Sequence, residues 1–416
     1  MHRIALLTPL HPQKTGIAEY IEEMLPYLRK HLGESYQIDL FVDNSCLNES
    51  NRITNHQCHD IDEYELMHEE YDITIYQIGN NQLHIKMYML ALKYPGIIVL
   101  HDYAIHHLVA AVYLAYLKDD NAYFEEVGYN HGLDAKKEAV LRATRGELGL
   151  WETDAIKYPM NRRILTASLG TIVFSQFAKE NLEAYSSNVP IHRIYLHCGG
   201  DCSLCTEEER FDARKRLHLD ASQNEIIIGV FGFIGQAKRP YSILEAVYRL
   251  ILEGKKIKLV YVGELMDDCK DLPSKIKEKR MKNMVAMTGF TTQEEFQDFI
   301  VASDICVSLR YPTMGETSGV LTRALSRGKP SVVTDIGTFK EYDSDMVMKI
   351  SAGEDEVDEL VEVLRKLIDD ENFRKKVGER GLQYAKDHLQ IESTAESFAT
   401  FVKAAVRFNC VKNEEI

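Results

Sequence analysis

The 416-residue chain lacks any run of about eighteen apolar residues, so no segment reads as a membrane-spanning helix. Its opening apolar patch, Ile4-Ala5-Leu6-Leu7, is cut by Pro9 and is too short for a secretory leader, so it is expected to be a first strand. No Gly-x-Gly-x-x-Gly occurs, which disfavours a nicotinamide or flavin dinucleotide. An excess of positive charge is also missing. Lys and Arg number 49 against 64 Asp and Glu, a net charge of −15, which argues against nucleic acid and gives no help at an anionic membrane. The basic cluster at Lys275 to Lys282 has acids interleaved and reads as a solvated face. Proline is sparse, with ten residues, and tryptophan occurs once, at Trp151. No internal repeat or low-complexity tract is present. The Asp343-Ser344-Asp345 triplet falls in an expected turn rather than in a metal-site context.

What is there is ordinary globular composition, 45% hydrophobic and 27% charged, in a chain long enough for two domains. Eight cysteines without a leader suggest free thiols and a cytoplasmic location. Cys198-x3-Cys202-x2-Cys205 has an iron–sulfur spacing, with His197 beside it. It follows a whole α/β domain and lies in a hinge-like stretch, Gly199-Gly200-Asp201, so buried or linker thiols are expected and no metal.

Apolar runs of strand length occur at Ile4 to Thr8, Gln37 to Val42, Ile73 to Ile78, Ile97 to His101 and Thr171 to Phe174. Helical patterns alternate with them. In the first, Gly16 to Leu32, the apolar residues fall on one face and Pro26 predicts a kink or an early stop. The rhythm breaks from 104 to 163, a Tyr-rich helical stretch read as an insertion. It resumes with strands at Ile226 to Phe231, Ile257 to Val262, Met284 to Thr288, Ile305 to Leu309 and Ser331 to Thr334. Short buried strands between amphipathic helices mean parallel sheets covered on both faces. The expected domains are 1–200, completed by the C-terminal helix 390–416, and 203–388.

Chemistry concentrates in Tyr311-Pro312-Thr313-Met314-Gly315-Glu316-Thr317-Ser318-Gly319, between a strand and a helix. Such a junction offers unpaired N–H groups to a phosphate. A carboxylate in the same loop, Glu316, accepts hydrogen bonds from hydroxyls, so the pairing points to a nucleotide sugar.

With these residues in view, the chain resembles the retaining glycosyltransferases of family four, which have the GT-B architecture of two facing Rossmann-like domains with the active site in the interdomain cleft. Glu316-Thr317-Ser318-Gly319 and Ala324-Leu325-Ser326-Arg327-Gly328-Lys329-Pro330 match the two halves of the family's Glu-x7-Glu region, in a Pro-Thr-x-Gly-Glu-Thr-Ser-Gly form. The second glutamate is absent: strict spacing reaches Ala324, and the Ala-Leu-Ser match puts Arg323 there. An arginine donates to ribose oxygens but cannot accept from them.

The resemblance implies that Glu316 contacts the donor sugar and that Thr317, Ser318 and Gly319 approach the diphosphate. Lys238 and Arg239, after Phe231-Gly232-Phe233, would balance charge on the leaving group. Gly289 and Phe290 would frame the nucleobase, Gly16 would give the donor close access, and the strand-end His101 would contact the sugar or the acceptor. His106 and His107 show no partner in sequence, and Ser175 is read as a helix N-cap.

The implied activity is a metal-independent, retaining hexosyltransferase. Its partners are a UDP- or GDP-linked sugar and a carbohydrate, lipid-linked or protein acceptor, and no cofactor is implied. Two alternatives stay open: a nucleotide-sugar 2-epimerase-like isomerase, and a non-catalytic nucleotide-sugar-binding scaffold.

Overall fold

In a computed structural model the chain forms two compact units. The structure describes residues 1–47, 57–185, 188–219 and 225–414, with side chains through 409. One unit comprises Met1–Gly199, Met314–Thr317 and Ile391–Ile416, and the other Gly200–Thr313 and Ser318–Gln390. No helix among the described residues is long and apolar enough to cross a membrane.

The first unit is built on seven parallel strands: β1 (His2–Leu7), β2 (Tyr36–Val42), β3 (Gln57–Asp60), β4 (Ile73–Ile78), β5 (Ile97–Leu100), β6 (Gly170–Val173) and β7 (Ile191–Arg193). Their spatial order is β3-β2-β1-β4-β5-β6-β7. Alternate residues feed opposite faces, as strand geometry requires. Ala5, Leu7, Tyr76, Ile78, Ile98 and Leu100 join one core, with residues of the helical stretch such as Leu108, Val112, Tyr123 and Leu150. Ile4, Leu6, Ile73, Ile75, Ile97 and Val99 join the other, against Ile21, Leu25 and Leu28 of the helix Gly16–Leu32 and Phe398, Val402 and Val406 of the helix Ile391–Glu414.

The early stop expected at Pro26 does not occur, because that first helix runs on to Leu32. Leu25, Leu28 and Leu32 are buried around the proline, and their burial outweighs the one hydrogen bond it cannot make. Strands β3 and β7 were not anticipated. Gln57-Cys58-His59-Asp60 and Ile191-His192-Arg193 are sheet edges whose polar residues carry no apolar run. The stretch 104–163 contains a π-helical turn, Ala111–Tyr116, and the helices Asp120–His131 and Leu133–Arg145.

The second unit has six parallel strands: β8 (Ile226–Phe231), β9 (Ile257–Val262), β10 (Val285–Met287), β11 (Ile305–Ser308), β12 (Ser331–Thr334) and β13 (Met348–Ile350), in the order β10-β9-β8-β11-β12-β13. Ile228, Val230, Leu259 and Val307 pack against Ile243, Val247, Leu250 and Leu364. Ile227, Val260, Val262 and Cys306 pack against Phe299, Ile300 and Ala324 on the opposite face. The strand order reverses between β1 and β4 in the first unit and between β8 and β11 in the second. In open α/β sheets, ligands bind beyond the carboxyl ends of strands at such reversals.

Candidate nucleotide-sugar site

In the second unit, the loops after β8 and β11 leave the sheet side by side at the reversal. The Tyr311 N–H donates to the Ala237 carbonyl at 2.8 Å, tying one loop to the other. Lys238 folds back so that its ammonium donates to the carbonyl of Phe231, the last residue of β8. Gly232 makes room for it: φ is +81°, and a Cβ there would collide with the Lys238 Nζ. The ammonium is therefore held at the strand end by backbone geometry.

Arg239, the second cation expected near the phosphates, is tethered along one edge. Its Nε donates to both oxygens of Glu356, at 2.9 and 3.0 Å, and the guanidinium lies 5.8 Å from the Tyr311 ring centroid. Glu356 is 1% exposed and begins the helix Glu356–Asp369, so one edge of Arg239 serves a buried ion pair. Sequence reasoning missed this partner, because nothing local links positions 117 residues apart.

Ser318 caps the helix Gly319–Ser326 by accepting the Leu321 N–H at 3.2 Å. The first N–H groups of that helix have no carbonyl one turn back, which is what an anion site needs. Arg323 lies on the same helix with 7% exposure. Gly289 (φ +71°) forms a bridge with Gly263, and Thr288 Oγ1 accepts the Gly263 N–H at 3.2 Å. Phe290, next to it, is 49% exposed.

Met314–Thr317 belongs to the first unit. Ala104 N–H donates to the Met314 carbonyl, and the Glu316 carboxylate accepts the Met314 N–H, both at 2.8 Å. Gly315 has φ +71°, and a Cβ there would come within 2.6 Å of the Tyr103 Cβ. Only glycine meets both conditions.

Gly16 opens the first helix of that unit, with Thr15 as its N-cap at 3.3 Å from the Ile17 N–H and nothing within 4 Å of where a Cβ would be. His101 follows β5 and donates from Nε2 to Gln77 Oε1 at 2.6 Å. Burial, with His84 close by, pushes its pKa down to about 3. The ring is thus neutral at pH 7, with Nδ1 carrying a lone pair. His106 is buried against the Tyr123 hydroxyl at 2.8 Å, whereas His107 stays half-buried near the strand ends. Gln77, within β4, and Asn80, just after it, were not singled out from sequence, although Gly79-Asn80-Asn81 is a turn signal at a strand end.

The cysteine triplet does not converge on this region. Cys198 is buried, and Cys205 lines a cavity of about 280 Å³ with Arg210, Asp304 and Lys329. That cavity lies at the amino-terminal edge of the second sheet, beside the residues that lead into β11 and β12. Lys329 Nζ donates there to the Val301 and Ser303 carbonyls at 2.7 and 2.9 Å.

Residues 212–384, somewhat under half of the chain, match the family model described as glycosyl transferases group 1. No curated protein matches the chain significantly in sequence. Solved structures do match in fold. HepE of Anabaena, solved with UDP-glucose, shares 15% identity at a TM-score of 0.66, over 97% of this chain and 100% of that one. Sucrose-phosphate synthase of Thermosynechococcus elongatus shares 12% at 0.64, over 97% and 99%. The S. aureus MnaA–UDP structure shares 11% at 0.57, over 98% and 96%. The architecture is GT-B, two Rossmann-like parallel-sheet units. Most of the span that matches the group 1 model lies in the second unit.

Proposed function

We propose that the chain transfers a hexose from a UDP- or GDP-linked sugar to an acceptor hydroxyl, with retention of anomeric configuration and without a bound metal. The observation that carries this reading is the group 1 match over residues 212–384, a span that contains Lys238, Gly289 and the loop from Tyr311 to Gly319. HepE, similar in fold, was solved with UDP-glucose, which supports a nucleotide-sugar donor.

In this reading the bond from the anomeric carbon to the diphosphate oxygen breaks, and its electron pair stays on the diphosphate. The Lys238 ammonium and the N–H groups around Thr317, Ser318 and Gly319 offset the charge that grows there. The acceptor oxygen bonds to the same face of the anomeric carbon and passes its proton to the departing phosphate oxygen. Glu316 accepts hydrogen bonds from donor-sugar hydroxyls. Neutral His101 presents Nδ1 as an acceptor to a hydroxyl of the sugar or the acceptor. Gly289 and Phe290 flank the base, Arg323 donates to ribose oxygens, and Gly16 lets the donor approach the backbone.

The test begins with thermal shifts against UDP, GDP and their sugars, because a specific ligand raises the melting temperature by mass action. The nucleotide sugar that binds is then incubated with an acceptor panel, with and without chelator, and the product anomer is read by NMR. An inverted product, or activity abolished by chelator and restored by metal, would refute the corresponding part. Donor incubated alone is the control for an isomerase. Binding without turnover across the panel would favour a scaffold.

A further inference from the structure

Asn80 and His107 meet at the carboxyl ends of β4 and β5, and their hydrogen bonds fix which nitrogen of the imidazole carries its proton. Asn80 Oδ1 accepts the Leu108 N–H at 3.1 Å, so the other end of that amide must be the NH2 group. The NH2 group faces His107 Nδ1 at 3.2 Å. A donor there requires a lone pair on Nδ1, which leaves the proton of the neutral ring on Nε2. The Asn80 backbone is anchored as well, since its N–H donates to Asp102 Oδ2 at 2.7 Å. Burial lowers the His107 pKa while Glu152 opposes the shift, and the ring is neutral at pH 7. His107 Nε2 makes no hydrogen bond to any described residue, and it is not sealed from solvent.

A half-buried, pre-oriented N–H donor, on the short helix His106–Ala110 that follows β5 and His101, suits an oxygen-rich uncharged ligand. We propose that His107, oriented by Asn80, donates from Nε2 to a hydroxyl oxygen of a carbohydrate acceptor and so positions it for transfer. This rests on the glycosyltransferase reading and goes beyond it by naming the acceptor class and the group that holds it.

Long-range ¹H–¹⁵N correlation spectra of histidine-labelled protein at neutral pH should show His107 as the Nε2–H tautomer. In Asn80→Asp the carboxylate can only accept, so the proton should move to Nδ1. Titrating the wild type with glucose, galactose and mannose should shift the His107 Nε2 resonance with at least one of them. An Nδ1–H tautomer in the wild type, or no shift with any of the three sugars, would overturn the proposal.

Transfer from the nucleotide sugar that binds gives the kinetic arm. His107→Phe should raise the acceptor KM about tenfold, the loss of one hydrogen bond, with donor KM and donor hydrolysis unchanged. His107→Gln, which keeps a distal amide donor, should restore most of it. An unchanged acceptor KM in His107→Phe refutes the proposal. Failure of the wild type to turn over any nucleotide sugar instead refutes the glycosyltransferase reading, while the tautomer and sugar-titration results still decide the role of His107.

Discussion

Replacing Lys238 with alanine separates phosphate recognition from every other part of nucleotide binding. One donor of the ammonium is held by the Phe231 carbonyl, and Gly232 keeps the space it occupies clear. If the diphosphate lies at the reversal between β8 and β11, the mutation removes a charge-assisted hydrogen bond of about 1.5–3 kcal/mol, roughly ten- to a hundredfold in affinity. The loss should appear for UDP or GDP and be nearly absent for the bare nucleoside, which lacks the phosphates. Isothermal titration of the diphosphate and the nucleoside against both proteins gives the two ratios. Melting temperature is the control, because the Phe231 carbonyl loses a partner in the mutant. Gly232→Ala should act in the same direction without touching Lys238 chemically, since its Cβ displaces the ammonium and its φ of +81° is strained for alanine. Equal losses for nucleoside and diphosphate would mean that Lys238 does not face the phosphates.

Glu316→Gln should reduce transfer by at least about a hundredfold while diphosphate affinity stays near wild type, the loss expected when a charged transition-state contact goes; wild-type turnover would remove Glu316 from the mechanism. Arg239→Ala should destabilise the second unit by about 2–3 kcal/mol, a buried-pair penalty discounted for the partial exposure of the arginine. Arg239→Ala/Glu356→Gln should recover most of that in urea titrations, and no recovery would mean that the pair is not the cause. His84 and His106 are fully buried, with pKa values pushed down to about 4 and about 3 by burial. Because these folded-state values lie below the unfolded value of 6.5, the unfolded chain takes up protons first as the pH falls. These two groups should leave the stability of the first unit full above about pH 7 and together lower it by about 2.7 kcal/mol per pH unit between about pH 6 and pH 4, with His101 and His131, also held low by burial, steepening the fall; a urea midpoint flat from pH 7 to 5 would contradict it.

The strands that carry the site were legible because burial on both faces leaves an uninterrupted apolar run. Ile73–Ile78, Ile226–Phe231, Ile257–Val262 and Ser331–Thr334 fall where the sequence pattern places them. The edge strands β3 and β7 were illegible for the converse reason, since half-exposed polar residues leave no period to read. The same distinction separates the candidate site residues. Gly232 is of the legible kind, because its φ and the Lys238 side chain it makes room for both lie within one short window, whereas the close approach of Gly315 to Tyr103 is long-range.

Cations do not announce themselves in this way. Lys238 and Arg239 are neighbours in sequence and look interchangeable, yet one turns back to the strand end and the other reaches a buried carboxylate 117 residues away. The two adjacent charges are told apart by the partners that claim them. Only tertiary structure reveals such partners, and the same holds for Asn80 and His107. The turn after β4 and the helix after β5 carry no sign of each other, and the proton position that gives His107 its chemistry exists only once the two segments meet.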